Sequence, residues 1–170
     1  NDVWQFDLAK SAWTKVEASC DPPRARAGHS AVVHDGEMFV FGGAAEERSS
    51  DPILNDLHAF SFAKRAWRKV AASSGKPPAA RCKHSAVIVD GEMLVFGGWD
   101  WKAGFADCSA FRFADGAWRV AAAAPTERIW HACAVRPGDG MYVHAGEDKN
   151  IFLQNDLYRC SLREPSYLLP

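Results

Sequence analysis

The sequence predicts an all-β protein in which repeated four-stranded antiparallel sheets stack face to face about an axis. Three observations lead to that class. The stretch GHSAVVHDGEMFVFGG over residues 28–43 returns as KHSAVIVDGEMLVFGG over 83–98. A Pro-x-x-Arg-x-x-His signature stands ahead of each copy, as Pro23, Arg26 and His29 and as Pro78, Arg81 and His84, and occurs a third time as Pro125, Arg128 and His131. Its histidines are 55 and then 47 residues apart, and a period of about 50 residues is that of propellers and related repeat architectures. Third, no stretch carries the apolar spacing of an amphipathic helix, so only neighbouring copies are available to cover a sheet.

The elements follow in chain order. Residues 1–16 read as two strands, with Phe6 seven residues ahead of Trp13. Residues 24–70 read as four. HSAVVH and EMFVFG are rich in β-branched and aromatic residues and are joined by Asp35-Gly36, a pair that tolerates the positive φ of a two-residue hairpin turn. DLHAFSF and AWRKV complete the meander around the short polar Ala63-Lys64-Arg65, again with seven residues from Phe60 to Trp67. Residues 81–120 repeat the same four strands, with Phe111 ahead of Trp118. Residues 128–162 give three strands of a degenerate copy, where Asp139-Gly140 stands for the hairpin turn and Ala145-Gly146 for the closing Gly-Gly. Within each copy SAVV and MFVF are apolar on consecutive residues, which in a sheet means burial on both faces.

Composition excludes several classes. With 48% hydrophobic residues in 170 the chain can bury a core, so disorder is not expected. A net charge of −1 without any block of like charge leaves no footprint for nucleic acid or an anionic membrane. Apolar runs end within about ten residues, well short of the about 20 that a helix needs to span a bilayer. The chain opens Asn-Asp-Val-Trp with no Met and no visible secretory leader, and reads as cut from something longer. Its five cysteines include no Cys-x-x-Cys pair and read as reduced thiols of a cytoplasmic protein.

Together, Gly42-Gly43 and Gly97-Gly98, the aromatic-to-Trp spacing, Asn55-Asp56-Leu57 at the third strand and Arg-x-x-His before the first resemble Kelch repeats over nearly the whole chain. The resemblance implies β-propeller blades, usually six or seven to a ring. The expected fold is therefore a partial arc of about three four-stranded blades. Because it begins and ends at third strands, the expectation is that further blades of the same or another chain complete it.

Alternating strand direction places residues 20–28, 71–83 and 121–130 on one rim with residues 44–54, 99–106 and 147–154. Loops that vary on a rigid scaffold are where recognition is expected. Trp99, Trp101 and Phe105 are the leading protein-binding candidates, since large rings dominate interface energetics; the alternative is that they pack over their own blade. Phe152, within Ile151-Phe152-Leu153, is the second candidate. Arg26, Arg81 and Arg128 either surround a central mouth, where they could capture carboxylates or phosphates, or pair with backbone carbonyls or an acid of the next blade. His29, His84 and His131 read as buried, hydrogen-bonded rings. Trp13, Trp67 and Trp118 read as packing.

No catalytic constellation is found, and no cofactor or metal is expected. Enzymes resembling galactose oxidase need copper held by Tyr and His with a Tyr-Cys crosslink, a set that Tyr142, Tyr158 and Tyr167 do not form. Nitrile-specifier proteins hold iron with Glu-x-x-x-Asp-x-x-x-His, and here Glu47 and Asp51 are followed by Asn55. The reading is a scaffold for protein–protein interaction through the loop-rich face. Its competitor is a small-molecule enzyme or ligand-binding propeller using the arginine-lined mouth.

Overall fold

A computed structural model describes residues 2–45, 52–123 and 126–160. Glu47, Asp51, Pro125 and residues 161–162 of the third copy lie outside the described residues. Thirteen strands are found among those described, all in antiparallel sheets, with no helix. β1 (Val3–Asp7) and β2 (Ala12–Val16) form a two-stranded sheet. β3 (Ser30–His34), β4 (Glu37–Ala44), β5 (Ile53–Ser61) and β6 (Ala66–Val70) form the first full blade, in sequence order. β7 (Ser85–Val89), β8 (Glu92–Phe96), β9 (Asp107–Arg112) and β10 (Ala117–Ala123) form the second, and β11 (Ala132–Arg136), β12 (Gly140–His144) and β13 (Leu157–Cys160) the third.

The hairpins follow from their turn residues. Asp35 and Gly36 have φ of 46° and 74°, and Asp90 and Gly91 have 48° and 76°, so both inner hairpins close through two left-handed residues. In the third blade Arg136 pairs with Gly140, so the connection is the three residues Pro137–Asp139 and Gly140 is already strand. Asp139-Gly140 is therefore not the two-residue turn that its likeness to Asp35-Gly36 predicts. Proline at 137 and the extra residue shift the turn by one position.

Apolar faces meet between blades. Phe39, Phe41 and Leu57 of the first blade pack with Met93, Val95, Phe111 and Trp118 of the second; Leu94, Phe96 and Cys108 pack with Met141 and Val143 of the third. Trp67, 7% exposed, fills the space between the first blade and Val3 and Val16 of the two-stranded sheet. Trp118 stands 5.3 Å from Phe41 in the same role. Trp13 is 65% exposed, because no described sheet lies against it.

A second set of contacts fastens the blades at their inner strands. The His84 ring shares a 2.8 Å hydrogen bond with Ser30 of the preceding blade and stands edge-on to Phe41, whose cross-strand partner is Ser30. His131 repeats this with Ser85, at 2.7 Å, and with Phe96. The Gly43 and Gly98 amides donate to the carbonyls of Arg81 and Arg128 at 2.9 and 2.7 Å. A Cβ on Gly42 would lie 2.8 Å from the Arg81 carbonyl oxygen, and one on Gly97 2.6 Å from that of Arg128. The first glycine of each pair is thus where the next blade's backbone comes down onto the sheet.

Candidate functional site

The rim is built from the residue before each of His29, His84 and His131 and from the loop between second and third strands. His29 is exposed and His131 half-buried, so of the three rings only His84 is buried as the sequence suggests. Gly28, Lys83 and Trp130 hold equivalent places, and their backbones are tied in a row: the Lys83 amide donates to the Gly28 carbonyl at 2.7 Å and the Trp130 amide to the Lys83 carbonyl at 3.2 Å. Beside them, Trp99 exchanges two 2.9 Å backbone hydrogen bonds with Cys82. The Asp100 carboxylate accepts from the Lys102 and Ala103 amides at 2.9 and 2.8 Å, turning the chain back sharply. Trp101 takes a φ of 72° within this turn.

Folded this way, the loop sets the Trp99 and Trp101 rings edge to face, 5.0 Å apart. The Lys83 ammonium lies 5.0 Å from the Trp99 ring, 5.4 Å from Trp101 and 4.9 Å from Trp130. Three indole faces within about 6 Å of one cation make a favourable cation–π group. Lys83, Trp99 and Trp101 are half-buried and Trp130 is 57% exposed, so the cluster is a surface feature with rings open to solvent. Lys83 and Trp130 were missing from the sequence-derived candidates. The repeat register carries the signal for both, since they occupy the position between Arg-x and His that Gly28 fills in the first copy.

Phe105 is positioned differently. Its ring lies under the Arg81 guanidinium, 4.2 Å from centroid to Cζ, and serves the interior more than the rim. Phe152 is exposed with Ile151 and Leu153 on a loop of the third blade, where Asp148 accepts from the Asn150 and Phe152 amides. The Glu127 carboxylate joins the two loops: it packs against Gly104 and accepts from the Lys149 amide at 3.3 Å.

The arginines do not line a mouth. Arg81 and Arg128 are 1% exposed, and Arg26 is buried along its side chain. Arg26 grips Asp56 through two hydrogen bonds of 2.7 and 3.0 Å and the Gly42 carbonyl at 2.8 Å. Arg81 does the same with Asp107 and Gly97, all at 3.0 Å. Arg128 meets Asp156 at 2.5 Å with Tyr158 beside it. Each acid belongs to the arginine's own blade, within its third strand for Asp56 and Asp107 and just ahead of it for Asp156, not to the next blade. A desolvated guanidinium retains little freedom once a carboxylate and a carbonyl fill its fork. Burial works against the Asp56 charge, yet the hydrogen bonds and charge of Arg26, with His58, hold its carboxyl below the usual carboxylate range.

The Ser–His pairs between blades are latches by the same logic. Burial and the neighbouring Arg81 charge bring His84 down to about 3, and burial with Arg128 brings His131 down to about 4, so both rings are neutral and poor bases. Their Nδ1 atoms meet no carboxylate that would orient them for catalysis. Among the described residues no group of three His, Cys, Asp or Glu side chains is arranged to hold a metal ion.

A family model described as the KLHDC2/KLHL20/DRC7 Kelch-repeats domain matches residues 1–168. The chain belongs to the Kelch-repeat family. Rat (Rattus norvegicus) Kelch domain-containing protein 10 is 29% identical over 154 residues, covering 85% of this chain and 37% of the rat protein. Acyl-CoA-binding domain-containing protein 5 of Arabidopsis thaliana is 31% identical over 150 residues, 86% of this chain and 22% of that protein. A Drosophila melanogaster homolog of leucine-zipper-like transcriptional regulator 1 is 34% identical over 106 residues, 61% of this chain and 11% of that protein. The chain thus spans little more than a third of the rat relative at most. Kelch-repeat domains generally serve as protein-interaction scaffolds and are generally non-enzymatic.

Proposed function

We propose that this Kelch arc binds a protein partner through the rim that carries Trp99, Trp101, Trp130 and Lys83. The single observation behind this reading is that cluster: rigid indoles with low ordering cost, held by a tied loop, beside a cation. Phe152 and its apolar neighbours extend the surface through the Glu127 bridge. The three arginines contribute indirectly, by fixing the strand ends from which the loops leave. Cytoplasmic residence is part of the proposal and rests on the cysteine pattern, an odd set of five without a Cys-x-x-Cys pair.

Completion of the arc by further strands belongs to the same proposal. Trp4, Phe6 and Trp13 are exposed on the two-stranded sheet, and a cavity of about 380 Å³ lies between that sheet and the first blade, lined by Trp4, His29, Ala31 and Trp67. An open strand edge beside exposed rings favours occupation.

The test is affinity capture on the immobilised chain, identification of the bound protein, and a binding isotherm with the purified partner. Trp99→Ala with Trp101→Ala should weaken binding at least several-fold while the far-ultraviolet circular dichroism is unchanged. Equal affinity for the wild type and the double variant would remove the rim from the account.

A further inference from the structure

Between the first and second blades lies a cavity of about 600 Å³. His34, Asp35, Glu37, Phe39 and Arg68 form its wall on the first blade, and Phe111, Phe113 and Asp115 its wall on the second. Gly28 precedes β3 and His34 ends it, so the cavity opens at the opposite end of the blades from Lys83 and its tryptophans. The chain linking the two blades borders it: the Ser73 amide donates to the Gly116 carbonyl at 2.9 Å and the Ser73 hydroxyl to the Asp115 carbonyl.

The lining is aromatic. The His34 ring stacks on Phe113 at 4.1 Å, inclined by only 15°, and Phe39 and Phe111 stand 4.7 and 5.5 Å from the same phenyl ring. This set does not belong to the repeat. At the junction of the second and third blades the places of His34, Phe39 and Phe111 are held by Val89, Leu94 and Cys160, whereas the Glu37–Arg68 pair returns as Glu92–Arg119. Two blades therefore pack without the imidazole and without those two phenyl rings, so stacking alone does not account for them.

The charges are unbalanced as well. Three carboxylates line the cavity, those of Asp35, Glu37 and Asp115, against the single guanidinium of Arg68. Arg68 is taken by Glu37 through hydrogen bonds of 3.1 and 2.6 Å. Asp115 accepts from Arg112, which lies outside the lining, and from the Ala117 amide. The Asp35 side chain is 90% exposed and, among the described residues, meets only the His34 ring, at 3.4 Å.

We propose that this cavity receives an arginine side chain of a protein partner. A guanidinium is planar, stacks on aromatic faces and offers paired donors to a carboxylate. The His34–Phe113 stack and the Asp35 carboxylate beside it meet both needs, and the Phe39 and Phe111 rings offer a surface for the methylene stem. A lysine ammonium would satisfy the carboxylate but has no plane to set against the stack. The volume falls in the range of about 300–1,000 Å³ that ligand sites occupy, with room for the residues flanking the arginine.

Saturation-transfer nuclear magnetic resonance on the whole chain tests this, since the signal is read on the small molecule whatever the size of the assembly. The probes are N-acetyl-arginine amide and N-acetyl-citrulline amide, which has nearly the same shape and no charge. The arginine probe should receive saturation and the citrulline probe several-fold less. Asp35→Asn should reduce the arginine signal several-fold, and the hairpin is kept because Asn-Gly suits the same left-handed turn. His34→Val with Phe39→Leu, which writes the residues of the second junction into the first, should do the same with an unchanged circular dichroism spectrum. Trp99→Ala with Trp101→Ala should leave the signal as it is, which separates the cavity from the rim. Equal or absent transfer to the two probes, an arginine signal lost with the tryptophans, or one that survives the cavity variants would overturn the proposal. So would stronger transfer to N-acetyl-aspartate amide, which would assign the cavity to an acidic group held by Arg68.

Discussion

Replacing Gly97 with alanine should be among the most damaging single-methyl changes in the chain, and its size can be worked out contact by contact. The new Cβ would stand 2.6 Å from the Arg128 carbonyl oxygen and 2.9 Å from Cε1 of His131, both well inside van der Waals distance and both on the next blade. Neither can yield alone, because the carbonyl accepts from Gly98 and the ring is held by Ser85. Overpacking of this kind costs about 1–3 kcal/mol. The left-handed φ of 66° adds about 1 kcal/mol for any side chain, and loss of the Ser85–His131 bond about 1 kcal/mol more. The sum is roughly 3–5 kcal/mol, or on the order of 10 °C in melting temperature for a chain of this size. Ala145→Gly is the control: it relieves a φ of 58° and loosens the unfolded chain by about as much, so its net effect should be within about 0.5 kcal/mol. Thermal melts followed by circular dichroism would measure both. A loss below about 1 kcal/mol in Gly97→Ala, or equal effects at the two positions, would refute the reading of the glycine as a blade-to-blade contact.

Other perturbations separate packing from recognition. Trp67→Ala should cost about 3–5 kcal/mol in a denaturant titration, since the ring fills the space between two sheets, whereas Trp99→Ala with Trp101→Ala should change partner affinity and leave the melt nearly in place. Stability should also fall with acid. His84 and His131 titrate at about 3 and about 4 when folded and near 6.5 when unfolded, so the unfolded chain binds the extra protons: the contribution is complete above pH 6.5 and is lost as pH drops towards 4. The limiting slope is about 2.7 kcal/mol per pH unit for two protons, and His84→Gln should halve it; a flat profile from pH 7 to 4.5 would contradict the buried neutral latch. Light scattering on the purified chain tests completion of the arc, with self-association the expected result and a monodisperse, cooperatively melting monomer the opposing one.

Much of the fold was legible because a blade is a local object. Hairpin turns, the seven-residue aromatic-to-Trp spacing and the consecutive apolar residues of inner strands are all written within about 45 residues, so periodicity suffices to read them. The site was legible only in part. Trp99 and Trp101 are conspicuous as a composition, but their third partner, Trp130, comes from the next blade, and the lysine they surround sits in the middle of a repeat that looks purely structural. The arginines show the opposite failure. Their recurrence suggested either a ring of free cations or pairing with the next blade, and the actual partner is an aspartate 26 to 30 residues downstream in the same blade. Nothing local marks that pairing except the recurrence of Asp56, Asp107 and Asp156 in step with the arginines.

The third copy shows best why repetition read along the chain differs from repetition read across it. Its sequence departs from the other two at scattered places, Ala132 for Ser, His144 for Phe and Ala145 for Gly. In space these are one site. Ala132 pairs with His144 as Ser30 pairs with Phe41 and Ser85 with Phe96, and Ala145 follows where Gly42 and Gly97 receive the next blade. Every element that receives a neighbour's histidine is changed together: the hydroxyl that bonds the ring, the aromatic face beneath it and the space for the arginine carbonyl. An Arg-x-x-His blade docked here as the second and third blades are docked would meet the Ala145 methyl group at about the distances that make Gly97→Ala costly. The same geometry that explains the glycine pairs therefore predicts that an element laid against the third copy does not approach it through an Arg-x-x-His segment as the second and third blades do.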